Sequence, residues 1–441
     1  MFLAPDPTQV VHELAELPHH FELGAKPLTE LGIEHEKIAV LPNGTAPSYE
    51  AVIGPLLEEL AAPAWERVLE AGSVVALKRG RTSVTLEPGG QLELSDAPRS
   101  SASAVALGLK EHLAELEPWA TRHDISFLAI GFRPFGTIDE VPWMPKGRYR
   151  VMRDYLPTRG GHGLEMMKRT ATVQVNLDYA DEADCAEKIQ VAMGITSLVT
   201  ALWSSSPIVD GKLTDYQSYR AAMWLDTDED RCGILPFVFA ADARERLFEN
   251  YTDWALDVPM FFVHRDGAYL PAHGMTFRRY LDQGFAGRPA TLGDWEVHLS
   301  TLFPEVRLKR YLEIRGADSG PLPMVRALPA LYRGLLYDAE ARRAAWELVA
   351  GWTLDERQAL RHAVPRAGLR AVVRGAPILE CCRRLVQIAK SGLVRLGDDD
   401  LTLLGPVEEI AASGRTVADG IAETYRAVGG DRKKLIAALT L

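Results

Sequence analysis

Val84-Thr85-Leu86-Glu87-Pro88-Gly89-Gly90-Gln91-Leu92-Glu93-Leu94 joins two runs of alternating apolar and polar residues through Pro-Gly-Gly. Alternation of period two marks a half-buried strand, and a Pro-Gly-Gly step between two such runs folds them into a hairpin. The fold brings Glu87 near Gln91, with Glu93 one step further along that face. Hairpin strands are antiparallel, so the sheet is antiparallel or mixed rather than doubly wound. Leu31-Gly32-Ile33-Glu34-His35-Glu36-Lys37-Ile38 has the same character, with Glu34 and Glu36 pointing the same way on a strand. Crowded carboxylates repel unless a cation sits among them, and hard oxygen donors suit Mg²⁺ or Mn²⁺. One such Glu alone would be the solvated face of an edge strand. Several, each flanked by apolar residues, read as a metal cluster.

Outward from these stretches, strands and helices alternate between about residues 30 and 320. The pattern predicts strands at Glu34–Val40, Val84–Ser95, Ile125–Phe132, Thr170–Tyr179, Met260–Arg265 and Arg310–Arg315. It predicts helices at Val52–Ala71, Ala102–Arg122 and Asp184–Ser204. Beyond Pro323 six segments show helical spacing: Arg326–Leu336, Ala339–Gly351, Asp355–Ala363, Pro377–Ser391, Pro406–Ser413 and Val417–Val428. The expected fold is α+β. Helices cover one face of the sheet, the other is the polar working face, and a helical C-terminal part (about 323–441) packs on the sheet-rich core (about 30–320). The whole of 1–441 is expected to act as one catalytic domain.

Composition narrows the function. The chain has 441 residues, 47% hydrophobic and 25% charged, with a net charge of −11. An acidic chain lacks the basic face a nucleic acid would need. The longest largely apolar stretch, Val191 to Trp203, is too short for a bilayer, so no membrane partner is expected. Met1-Phe2-Leu3-Ala4-Pro5-Asp6 lacks the pattern of an export signal, and four cysteines form no disulfide framework. A cytoplasmic location is the expectation. Neither common phosphate loop is present, so any use of ATP is expected to rest on metal ions.

A third stretch, Arg307-Leu308-Lys309-Arg310-Tyr311-Leu312-Glu313-Ile314-Arg315, places Tyr311, Glu313 and Arg315 on one strand face. A carboxylate and a guanidinium at that spacing suit a site holding a metal and the oxyanion it binds; a surface salt bridge is the plain alternative. Pro145-Lys146-Gly147-Arg148-Tyr149 reads as a turn projecting Arg148. Arg220 and Trp224, four apart, share a helical face and form a cradle for an amino-acid carboxylate, or else a packed Trp beside a snorkelling Arg.

Five segments carry a resemblance: Gly32–Lys37, Leu86–Ser95, Met144–Tyr149, Arg169–Asp178 and Arg307–Asp318. Together, and in order, they are similar to the motifs of plant-type glutamate–cysteine ligases, a branch that includes many proteobacterial enzymes. The resemblance implies the carboxylate–amine ligase fold shared with glutamine synthetase, a mostly antiparallel sheet forming a funnel with ATP and metal at its base. It also implies the reaction: ATP phosphorylates the γ-carboxylate of L-glutamate, and the amine of L-cysteine displaces phosphate to give γ-glutamylcysteine, the first step of glutathione biosynthesis. By motif match Glu34, Glu36, Glu87, Glu93 and Glu313, with Gln91, would hold two or three Mg²⁺ ions, Mn²⁺ being a substitute. Arg148, Arg220 and Trp224 would bind glutamate with Thr172 close by, and Arg315 and Lys309 would face the transferring phosphoryl group. A monomer or homodimer is expected.

The chemistry agrees, since a carboxylate must be activated before an amine can attack it, and metals and guanidinium groups offset the anionic charge this brings together. Ala171 stands where the plant sequences are expected to carry cysteine, and redox control is not expected. A γ-glutamyl ligase using another amine, a phosphotransferase on a related fold and a non-catalytic binding protein are the alternatives.

Overall fold

Runs of Leu, Val and Ile alternating with polar residues build one nine-stranded sheet in the computed structural model, which describes residues 7–441 except 28, 63 and 398–400. Its strands are β1 (Leu31–Val40), β2 (Glu66–Glu70), β3 (Ser73–Arg79), β4 (Thr82–Leu86), β5 (Leu92–Ser95), β6 (Ser126–Leu128), β7 (Thr172–Leu177), β8 (Val306–Leu308) and β9 (Leu312–Asp318). The order is β8-β9-β7-β1-β5-β4-β3-β2, with β6 on the far end of β1. Each of these neighbouring pairs is antiparallel.

Register decides what the working face carries. Glu36 pairs with Glu93, Glu34 lies between Ser95 and Gln174, and Glu313 pairs with Asn176. Directly opposed residues share a face, so three strands contribute acids to one surface. The other face carries Ile33, Leu94, Val173, Val175 and Ile314, all buried. Helices α1 (Ala102–Arg122), α2 (Glu182–Leu202) and α3 (Leu322–Leu336) pack on the sheet, α1 and α3 against β1 and α2 against β9. Each fully buried Leu, Ile or Val side chain there contributes about 1.5–3 kcal/mol. That burial fixes the register, because a one-residue slip would turn the glutamates into the core.

The β4–β5 hairpin closes as expected, with the Glu87 N–H donating to Gln91 O (2.9 Å) and the Gly90 N–H to Glu87 O (2.9 Å). Gly90 has φ +81°, and a Cβ on Gly89 would lie 2.0 Å from Lys168 O. The hairpin tip therefore presses directly on the helix Gly163–Arg169, which only glycine permits.

The C-terminal part is helical, as expected, and α3 seats it on β1 and β7. A further helix, Arg432–Leu439, was not anticipated. Helix Val52–Ala71 is a correction: a helix covers Gly54–Ala61, but Glu66–Glu70 is strand β2, paired with β3 through a tight turn in which Ala71 and Gly72 both have positive φ. Such turns match strand twist, and the pairing overrides the helical spacing. The Ile125–Phe132 strand shortens to β6, because Ala129 turns to donate to Leu439 O near the C-terminus. Met260–Arg265 contains a strand, Phe262–Arg265, but in a separate two-stranded ribbon. The N-terminal segment Met1–Asp6 lies outside the described residues.

Candidate active site

The working face of the sheet walls a cavity of about 620 Å³, into which Glu34, Glu36, Glu87 and Glu93 project. Each is hemmed in by the others. Burial, then the charges of Glu313 and Glu93, pushes Glu34 up to about 7. Burial, then Glu87 and Glu93, raises Glu36 well above the usual carboxylate range. Burial likewise raises Glu87 and Glu93, and Glu87 adds to the shift of Glu93. Few hydrogen bonds offset this: Asn176 Nδ2 donates to Glu34 (2.9 Å), the Thr172 N–H to Glu36 (3.0 Å) and Thr85 Oγ1 to Glu93 (2.7 Å).

Cations line the same cavity: Lys146, Arg148, Arg307, Lys309 and Arg315, with Lys146 Nζ donating to Leu86 O beside Glu87 (2.7 Å). Arg315 donates to Gln174 Oε1 (2.8 Å), and its guanidinium lies 5.7 and 5.6 Å from the ring centroids of Trp224 and Phe303. Stacked guanidinium groups of this kind keep their geometry while presenting donors to an oxyanion. Arg148 is the second residue of the helix Gly147–Tyr155 rather than part of a projecting turn. It still faces the cavity, and its Nε is buried without a hydrogen-bond partner.

Several expected site residues sit differently. Glu313 is fully buried among these cations: Arg307 Nη2 donates to both its oxygens (2.5 and 2.8 Å), Lys309 Nζ lies at 2.5 Å, and Arg315 pairs with it as well. Burial alone would raise its pKa, but these three cations hold it well below the usual range. Glu313 is thus paired directly with three cations, and its pKa falls where those of the four crowded acids rise. Gln91 is committed to backbone, its Oε1 accepting from Gly89 (3.0 Å) and its Nε2 donating to Thr170 O (2.7 Å). Those bonds clamp the hairpin tip, and Gln91 still lines the cavity. The Thr172 hydroxyl donates to Ala317 O (2.7 Å) inside the sheet, so its contribution to the cavity is the N–H that holds Glu36. Arg220 and Trp224 share the helix Tyr219–Trp224, as expected. Trp224 reaches the cavity wall, and Arg220 lines a small second pocket shared with Trp224 and Arg315, donating through Nη2 to Arg315 O (2.9 Å).

Lys146, Gln174, Asn176 and Arg307 went unassigned at the level of sequence. The signal for two of them was present: Gln174 and Asn176 continue the polar face of β7, which the alternation from Thr172 to Asp178 already displays. Arg307 lies opposite Glu313 across the β8–β9 pair, a relation set by register and invisible in spacing alone.

Among the described residues no three His, Cys, Asp or Glu side chains converge into a ready-made metal site. The donor set nevertheless fits a hard divalent cation, because four carboxylates raised by burial and by one another's charge are relieved by positive charge between them.

Residues 30–438 match the model of glutamate-cysteine ligase family 2. Among curated proteins, the chloroplastic glutamate–cysteine ligase of Brassica juncea is 42% identical over 404 residues, covering 91% of this chain and 78% of the relative. That of Arabidopsis thaliana is 43% identical over 404 residues, covering 91% and 77%. Among solved structures, the glutamate–cysteine ligase of Francisella tularensis in complex with AMP aligns with a TM-score of 0.59 at 13% identity, covering 94% of this chain and 88% of that one. That likeness bears on the fold, which is the ligase fold expected. The curated relatives are chloroplastic by name, which overturns the expectation of a cytoplasmic location drawn from the cysteines and N-terminus. No helix among the described residues is long and apolar enough to cross a membrane. By the extent of the family match and the identity to these relatives, the chain belongs to glutamate-cysteine ligase family 2.

Proposed function

We propose that this chain joins the γ-carboxylate of L-glutamate to the amine of L-cysteine at the expense of ATP, giving γ-glutamylcysteine, ADP and phosphate in glutathione synthesis. The observation that carries the mechanism is the doubly charged cavity: four crowded carboxylates lie in it together with Lys146, Arg148, Lys309 and Arg315. Glu34, Glu36, Glu87 and Glu93 would hold Mg²⁺, with Mn²⁺ as a substitute. When bound, the ions supply charge neutralisation for the ATP phosphates.

The remaining steps belong to the chain's own residues. Arg148, Arg220 and Trp224 seat the glutamate. Arg315 and Lys309, held in place by Glu313, meet the γ-phosphoryl group as it moves to the γ-carboxylate oxygen. Their positions are fixed before reaction, so little reorganisation is needed as charge develops. The cysteine amine then attacks the acyl carbon, the C–O bond to the phosphate breaks, and the amine proton leaves to solvent. The chain is read as one catalytic unit, because a single apolar cluster runs from Val11 through the sheet to Ala411.

An ADP-release assay with L-glutamate, crossed against a panel of amines, tests this reading. The expected result is full turnover only with glutamate and an amine together, fastest with cysteine. Steady ADP formation without any amine would instead mark a phosphotransferase.

A further inference from the structure

Asp318, at the end of β9, is fully buried, and three donors converge on its two oxygens. Oδ2 accepts from the Ser205 N–H (3.0 Å) and the Ser206 hydroxyl (2.6 Å), and Oδ1 from the Ser218 hydroxyl (2.7 Å). Arg220 Nη1 lies 3.9 Å from Oδ1. Two of these serines, Ser206 and Ser218, are themselves committed to the short helix that carries Arg220 and Trp224. Ser218 is its N-cap, accepting the Ala221 N–H (3.0 Å), and Ser206 Oγ accepts the N–H of Arg220 (3.2 Å). The same knot reaches the acidic cluster: Ser205 Oγ donates to Ser319 O (2.5 Å), and Ser319 Oγ donates to Glu36 O (2.9 Å).

We propose that Asp318 is a positioning residue for glutamate binding, fixing the Tyr219–Trp224 helix to β9 so that Arg220 and Trp224 keep a set place relative to Arg315. This rests on the reading of Arg220 and Trp224 as glutamate-site residues. A six-residue helix has too few internal hydrogen bonds to hold its own orientation. It needs an external anchor, and a carboxylate is the side chain with acceptor capacity for three donors. Asparagine offers one acceptor oxygen and sets an N–H₂ against the remaining donors. Packing leaves Asp318 little freedom to adjust, because a Cβ on Gly131 would lie 2.5 Å from its own Cβ.

The test compares Asp318→Asn and Ser206→Ala with Arg220→Lys in steady-state kinetics, varying glutamate and ATP separately. Asp318→Asn should raise the KM for glutamate about tenfold or more while the KM for ATP stays within about twofold, since misplacement of a binding group by a fraction of an ångström is felt locally. Ser206→Ala keeps two of the three bonds to Asp318 and should shift the glutamate KM in the same direction by less. Equal rises in both KM values, or an unchanged glutamate KM in both variants, would overturn the proposal. If Arg220→Lys raises the glutamate KM while Asp318→Asn and Ser206→Ala do not, the positioning role fails and the Arg220 reading stands. If Arg220→Lys also leaves it unchanged, both fail.

Discussion

Glu36 and Glu93 stand directly opposite one another on the antiparallel strands β1 and β5, two carboxylates in cross-strand register. Like charges so placed destabilise a sheet, and here Glu87 adds its charge to both. A fold that keeps this arrangement gives up stability for a site. Glu36→Ala or Glu93→Ala should therefore lower turnover by at least about a hundredfold, some 2.7 kcal/mol of transition-state stabilisation. The thermal midpoint in metal-free buffer should stay the same or rise. Near-normal turnover of either variant at saturating Mg²⁺ would contradict the assignment.

The raised pKa of Glu34 makes a pH prediction with a definite sign. Its folded value of about 7 exceeds the ordinary 4.5, so between those values the folded state binds more protons than the unfolded state. Stability from this group then falls as pH rises through that window. The metal-free protein should lose thermal midpoint between about pH 5 and pH 7, and Glu34→Gln should lose less. Mg²⁺ should restore more of the midpoint at the upper pH than at the lower. Parallel pH curves for the two proteins would show that Glu34 is not the group responsible.

Glu313 should behave in the opposite way to Glu93. Removing its charge leaves Arg307, Lys309 and Arg315 facing one another without a counterion. Breaking a buried pair by deleting one partner costs about 3–5 kcal/mol. Glu313→Gln should lower the thermal midpoint with or without Mg²⁺, measured by calorimetry. If it leaves the midpoint unchanged and instead abolishes Mg²⁺-dependent stabilisation, Glu313 is a metal ligand after all.

Arg148 presents donors to the cavity with no hydrogen bond to its Nε; Arg220 Nε is likewise unpartnered, but its Nη2 holds the main chain of Arg315. Arg148→Lys should raise the KM for glutamate about tenfold or more, because an ammonium cannot reproduce a bidentate fork on a carboxylate. Its thermal midpoint should not move, while that of Arg220→Lys should fall. A falling midpoint for Arg148→Lys, with both substrates' KM values shifted alike, would make Arg148 a structural residue.

Much of this was legible in the residues, unevenly. The hairpin at Glu87–Glu93 and the pair Glu34 and Glu36 could be read because strand alternation and a Pro-Gly-Gly turn are local signals. Helix Ala102–Arg122 was read to the residue; in the structure Ser101 caps it. Strand β2 was missed because Val68 and Leu69 also fit helical spacing, and only pairing with β3 decides between the two. The roles of Gln91, Thr172 and Glu313 depend on partners 79, 145 and 6 residues away in the chain. Which lone pairs a side chain has already spent is a property of the packed structure, and no spacing rule reports it.

The central claim is that the γ-carboxylate is phosphorylated before the amine attacks, and isotope transfer tests it most directly. Glutamate labelled with ¹⁸O in the γ-carboxylate is turned over to completion with ATP and cysteine, and the released phosphate is analysed by mass spectrometry. The carboxylate oxygen that accepts the phosphoryl group becomes the bridge of the mixed anhydride and departs with phosphorus. The account predicts one ¹⁸O atom in each phosphate formed from fully labelled glutamate. Phosphate with no ¹⁸O above background, alongside normal formation of ADP and γ-glutamylcysteine, would contradict it.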